Sequence, residues 1–246
     1  MDQARVAPAA TRRVSRWRSP WVLFGVPALI FVLLTVNVLA SGPLIGTDQR
    51  IRTFVQSRWS SAGWHWLDAP ARLVVTLANP DDAVLVLAAA ALVVSAWRWS
   101  LRPLLTAAVA VVLLVVTVIP AKILIGRLAP GQIHRAPGAM GAFPSGHTTT
   151  SSVCYVVAVL LLVAYLPARI RRGAVAIALA WCLCIGAALV WRNLHWCTDV
   201  VAGWALASII IQLALRLGRG AGRSSAASRP GTASERDYQA AARGPG

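Results

Sequence analysis

The sequence predicts an all-α, polytopic membrane protein: a six-helix transmembrane bundle with both termini cytoplasmic. Three observations predict it. The 246-residue chain is 57% hydrophobic, with a mean hydropathy of +0.64, yet it carries a formal net charge of +16, a pairing that a soluble domain of ordinary composition does not show. Its apolar residues gather into six runs, and its arginines sit between alternate runs.

Residues 1–20 are polar and Arg-rich and read as a cytoplasmic tail. The run Trp21–Ala40 follows; about twenty residues at a rise of about 1.5 Å cross a hydrocarbon core of roughly 30 Å. It is too long for a signal-peptide core, so it reads as an uncleaved anchor although Val38-Leu39-Ala40 resembles a cleavage site. The second run, Ala83–Ala96, is short. It reaches spanning length if the helix starts near Ala69, entering the bilayer before the Asn79-Pro80-Asp81-Asp82 interruption or restarting after it. Leu104–Leu124 and Thr148–Leu166 are of full length, and Ala174–Val190 and Val200–Leu215 complete the set. Residues 21–216 thus form one membrane domain, and residues 217–246, mostly Gly, Ser, Ala and Arg, a disordered cytoplasmic tail.

Basic residues set the orientation. Arg5, Arg12, Arg13, Arg16 and Arg18 precede the first run, Arg98 and Arg102 separate the second and third, and Arg169, Arg171 and Arg172 separate the fourth and fifth. With Arg216, Arg219, Arg223, Arg229, Arg236 and Arg243 after the sixth, 16 of the 24 basic residues fall on one side, which is cytoplasmic by the positive-inside rule. Charge spread over alternate loops argues against nucleic-acid binding. Nine of the eleven tryptophans lie near proposed run ends, as interfacial anchors do. Cys182 and Cys184 point to different sides of one helix and Cys154 lies in another, which suggests neither a disulfide framework nor a metal site. The absence of an internal repeat or inverted pair of broken helices gives little support to an alternating-access transporter.

The outer loops are then residues 41 to about 70, about 125 to 147, and about 191 to 199. They hold all four histidines, His65, His134, His147 and His195, while the chain's single lysine, Lys122, lies at the outer end of the third run. In "FPSGH", Pro144 and Gly146 permit a tight turn, and Ser145 stands with the first free backbone N–H groups of the fourth run. That is an anion cradle with Lys122 and Arg127 nearby, and His147 is placed to give a proton to a leaving oxygen. In "WRNLHWCTDVVAG", His195 and Asp199 are four apart and share one helical face. A carboxylate on one ring nitrogen fixes the tautomer and leaves the other nitrogen free to attack, which suits His195 as a nucleophile.

Together these residues resemble the type 2 phosphatidic acid phosphatase superfamily, whose members carry Lys…Arg-Pro, Pro-Ser-Gly-His and Arg…His…Asp segments in that order. The resemblance covers roughly residues 40 to 205 and includes "SGPLIGTDQRI" after the first run. It implies six spans with an outward-facing site and hydrolysis of a lipid phosphate without a metal or cofactor. His195 would form a phosphohistidine, Asp199 would support it, His147 would protonate the departing alkoxide, and Lys122, Ser145 and Gly146 would bind phosphate. Two departures stand out. Ala129 occupies the place of the arginine before Pro130, with Arg127 two positions earlier, and Ala188 and Leu189 occupy the Ser-Arg places, with Arg192 three residues before His195. Arg192 lies on nearly the same helical face as His195, so Arg127 and Arg192 are the expected substitute phosphate ligands.

The expected substrate is therefore a lipid phosphate monoester or diphosphate, such as phosphatidate, phosphatidylglycerol phosphate or a polyprenyl (di)phosphate, acted on at the extracytoplasmic face of the plasma membrane. The expected partners are that substrate and membrane lipids, with no protein partner predicted. A second reading follows from the displaced arginines: a catalytically diverged membrane protein that binds phospholipid headgroups or a partner without turnover. A phosphotransferase would differ in the hydroxyl that attacks the phosphohistidine. The first outer loop, with Trp64, His65, Trp66 and Asp68, reads as an interfacial cover.

Overall fold

The computed structural model describes residues 20–59 and 62–227. Over these residues the chain is helical, without strands: α1 (Pro20–Leu39), α2 (Leu44–Trp59), a 3-10 turn (Ala62–Leu67), α3 (Asp68–Leu77), α4 (Pro80–Arg98), α5 (Arg102–Ile125), α6 (Gly146–Leu162), α7 (Ala168–Trp191) and α8 (Cys197–Ala227).

The 3.6-residue repeat explains which face each helix buries. Ala83, Leu87, Ala90 and Ala91 of α4, Ala107, Ala110, Leu114 and Val118 of α5, Val153, Cys154, Val157 and Ala158 of α6, and Leu206, Ala207, Ile210 and Ala214 of α8 form one core cluster. Small side chains let these helices approach closely where lipid supplies no hydrophobic drive for association. Helix α6 packs against α4, α5, α7 and α8, and α8 packs against α1, α5 and α6. Gly203 sits at the α6–α8 crossing, where an added Cβ would lie 3.1 Å from Thr148 Cβ and Thr149 Oγ1.

Helices α4, α5, α7 and the Cys197–Gly218 part of α8 are long and apolar enough to cross a membrane, and only 17% to 44% of their most apolar windows is buried in the protein. The remaining surface, including Leu85, Leu92, Val112 and Ile177, is left facing outward, as lipid contact requires. A fifth candidate is the pair Leu23–Leu39 and Leu44–Trp59, bent by 88° at residues 40–43. The chain is thus a multi-pass membrane protein, with four to five candidate spans by length and composition among the described residues.

Several boundaries differ from expectation. Asn79-Pro80 separates α3 from α4, because Pro80 suits the first helical turn and the residue before it is pushed out of the helical region; Asn79 has ψ 130. The second run therefore restarts after the break. The fourth, expected to reach Leu166, is helical only over the 17 residues Gly146–Leu162. Its first two turns carry Thr148, Thr149, Ser151 and Ser152, all buried inside the bundle, so this end packs on protein. The segment after α1, expected as the first outer loop, is folded as α2, the 3-10 turn and α3. At the other end α8 continues beyond residue 216 to Ala227. The expected N-terminal tail through residue 19, and residues 228–246 of the C-terminal one, lie outside the described residues.

Candidate functional site

Chain direction alternates through α4, α5, α6, α7 and α8, so the end of α5, the start of α6, the end of α7 and the start of α8 meet at one end of the bundle. Gly126, with φ +61, ends α5, and its N–H donates to Lys122 O. The following segment folds back: Gly141 N–H donates to the same Lys122 carbonyl and Ala142 N–H to Arg127 O. A Cβ at Gly141 would lie 2.7 Å from Lys122 O, so only glycine fits that return. Lys122 Nζ in turn donates to Gly141 O at 2.6 Å, and its Cε would be 3.2 Å from a Cβ on Gly146. The lysine therefore lies against the first residue of α6.

Ser145 is fully buried and caps α6, accepting from Thr148 N–H at 3.2 Å and from the Thr148 hydroxyl at 2.9 Å. Its own N–H donates to Asp199 O at 3.1 Å, which ties the start of α6 to the start of α8. His147, on the first turn of α6, faces His195 with ring centroids 6.2 Å apart.

Asn193, with φ +56, turns the chain between α7 and α8. Next come His195 and, one turn on, Asp199, whose side chain is fully buried. Asp199 Oδ2 lies 3.5 Å from His195 Nδ1 and accepts Trp196 N–H at 3.2 Å. His195 Nδ1 is buried with no hydrogen-bond partner, so that 3.5 Å separation leaves Asp199 Oδ2 the acceptor to which it would tighten. Nε2 is the nitrogen left for a reacting group.

The expected cations are distributed unequally. Lys122 has no carboxylate partner among the described ion pairs. Arg127, with a side chain only 9% exposed, is held between two carboxylates, Asp199 Oδ1 at 2.5 Å and Asp48 Oδ2 at 2.7 Å. Its Nη1 also donates to Thr198 Oγ1 at 2.6 Å. Arg192 is ion-paired with Asp68 at the start of α3, which also pairs with Arg72. Next to that pair Trp64 lies against Trp191 with ring centroids 6.2 Å apart, so the segment of the 3-10 turn and α3 is fastened to the end of α7. Ala188 and Leu189, in the places where the resemblance expects Ser-Arg, are buried; Leu189 packs with Ala78, Ile185 and Val200. His65 and His134 are exposed.

Sequence reasoning missed Asp48 and Thr198. Asp48 Oδ1 accepts Thr198 N–H at 3.0 Å, and its Oδ2 accepts the Thr198 hydroxyl as well as Arg127. The available signal was scarcity: Asp48 is one of only eight acidic residues in a chain with 24 basic ones.

A family model described as the PAP2 superfamily matches residues 101–223, half of the chain. The fold is similar to the crystal structure of the first transmembrane PAP2 type phosphatidylglycerolphosphate phosphatase from Bacillus subtilis. The TM-score is 0.66 at 19% sequence identity, covering 79% of this chain and 96% of that one. No curated protein matches this chain by sequence.

Proposed function

The chain belongs to the PAP2 superfamily, and from that premise we propose that it is an integral-membrane phosphatase that hydrolyses a lipid phosphate monoester or diphosphate through a phosphohistidine. The observation that carries this reading is the convergence at one bundle end of His195, Asp199 and His147, with Lys122 against the start of α6.

In this mechanism the phosphate lies at the N-terminus of α6, where unpaired backbone N–H groups, the helix dipole and the Lys122 ammonium stabilise its charge. Ser145 and Gly146 form that turn: Gly146 leaves room for Lys122, and the Ser145 hydroxyl caps the helix with its own proton free to donate. His195 Nε2 attacks phosphorus, the bond from phosphorus to the lipid oxygen breaks, and protonated His147 gives its proton to the departing alkoxide. Asp199 holds the Nδ1 proton and stabilises the positive charge that develops on the ring. Water then attacks the phosphohistidine, His147 takes its proton, and phosphate leaves with His195 restored. Neither step requires a metal or cofactor. Arg192 is ion-paired with Asp68 and Arg127 with two buried carboxylates, so each brings a partly neutralised charge to the phosphate site.

The arginines at the helix ends that flank the α4–α5 and α6–α7 connections, Arg98, Arg102, Arg169, Arg171 and Arg172, lie at the bundle end opposite His195. The positive-inside rule assigns that opposite end to the cytoplasm, which supports a six-span plasma-membrane protein with cytoplasmic termini and an extracytoplasmic site. Phosphatidate, phosphatidylglycerol phosphate and polyprenyl (di)phosphates all present an apolar tail with a phosphate at the water boundary. A binding protein without turnover is not favoured, because the nucleophile, its carboxylate, the acid and one cation are all retained. The test is phosphate release by the detergent-purified protein from a panel of lipid phosphates, in EDTA, beside His195→Ala. Turnover that vanishes in the variant is expected. A silent wild type that still binds vanadate would sink the proposal.

A further inference from the structure

Behind His195 lies a buried ion cluster of which the two steps above use only Asp199. The side chains of Asp48 and Asp199 are 1% and 0% exposed, and Arg127 stands between them. Two buried carboxylates on one guanidinium leave a net negative charge, an expensive arrangement that a purely apolar contact would avoid. Its geometry has a consequence. Asp48, brought from α2, accepts Thr198 N–H on one oxygen and the Thr198 hydroxyl and Arg127 Nη2 on the other. With that side satisfied, Arg127 Nη1 is directed at Asp199 Oδ1. Once Oδ1 is committed, the short Asp199 side chain has little freedom left, and Oδ2 faces Trp196 N–H and His195 Nδ1.

We propose that Asp48 is a positioning residue: through Arg127 and Thr198 it holds Asp199 with Oδ2 toward His195 Nδ1, and so sets the tautomer and orientation of that imidazole. Arg127 then belongs to the clamp and not to the phosphate cradle. The proposal rests on the reading of His195 as the nucleophile, and its test carries one readout that does not need turnover.

That readout is nuclear magnetic resonance of the full-length protein in detergent with labelled histidine. The chain has four histidines, and the His195 signals are those that vanish in His195→Ala. The wild type is expected to show a proton on His195 Nδ1 at the downfield position of a carboxylate-bonded imidazole. Asp48→Asn is expected to lose that signature while keeping the His147 signals and the elution volume of the wild type. In phosphate release, kcat should fall about 10- to 100-fold with KM little changed, the size seen when a group supporting a ligating or reacting residue is removed. In an Asp199→Asn background the same substitution should cost nothing further, since the effect runs through Asp199. Should Asp48→Asn not fold, Thr198→Val removes the bridging hydroxyl without leaving a charge unpaired and is read the same way. A wild type without the Nδ1 signature, a signature unmoved by either variant, or losses that multiply with Asp199→Asn would overturn the proposal. A signature lost in Asp48→Asn, in a protein with no His195-dependent phosphate release, would instead reject the phosphatase reading and leave the positioning role standing.

Discussion

Replacing Arg127 by Met removes one cation from between two buried carboxylates while keeping most of the side-chain volume. At contacts of 2.5 and 2.7 Å, each guanidinium–carboxylate attraction is roughly 6 kcal/mol before desolvation at an effective dielectric constant of about 20. Burial of all three groups cancels most of this. The relevant quantity is the cost of leaving the anions without their partner, about 3–5 kcal/mol for a broken buried pair. For a chain of this length about 2–4 °C of Tm is lost per kcal/mol, so a fall of at least about 6 °C is expected. Fluorescence-monitored melting of the detergent-purified protein reads it directly. Adding Asp48→Asn to Arg127→Met should recover part of the loss, because only one unpaired carboxylate then remains. An unchanged Tm in Arg127→Met, together with a large rise in KM, would refute the reasoning and return Arg127 to the phosphate site.

Lys122→Met should lower kcat/KM for a lipid phosphate by about 10² to 10³, the effect of losing one positioned charge on a phosphoryl transition state, measured as phosphate release. Asp68→Asn breaks the pair with Arg192 and should raise hydrogen exchange across residues 62–77, while phosphate release persists; unchanged exchange would deny that the pair fastens this segment. Gly203→Val, whose Cβ meets Thr148, Thr149 and the Ser145 carbonyl at 3.1 to 3.2 Å, should destabilise by about 1–3 kcal/mol through overpacking. Gly25→Ala, inside α1 with nothing within 4 Å, should instead stabilise by about 0.4–1 kcal/mol.

The membrane class, the apolar runs and the candidate residues on the α6 and α8 starts were legible in the sequence because each rests on local information. Hydropathy over about twenty residues decides whether a segment can leave water, and an i, i+4 spacing is enough to set His195 beside Asp199. The turn at Pro144, Ser145 and Gly146 was likewise readable as a helix start. Span boundaries were less so. Whether the polar first turns of α6 can be buried depends on the helices packed against them, and whether α3 joins α4 depends on one proline.

What only the tertiary structure decided is which charge meets which. Arg127 and Arg192 looked equally available in sequence, yet one is committed to Asp48 and Asp199 and the other to Asp68, 79, 72 and 124 residues away respectively. A guanidinium takes whichever carboxylate the packed helices bring within about 3 Å in a site shielded from water, and no local pattern carries that information. Composition and spacing therefore determined what kinds of groups stand at this end of the bundle. The crossing of α2, α5 and α8 decided that Lys122 faces the start of α6 with no carboxylate in ion-pair contact among the described residues, while Arg127 is enclosed behind the histidine.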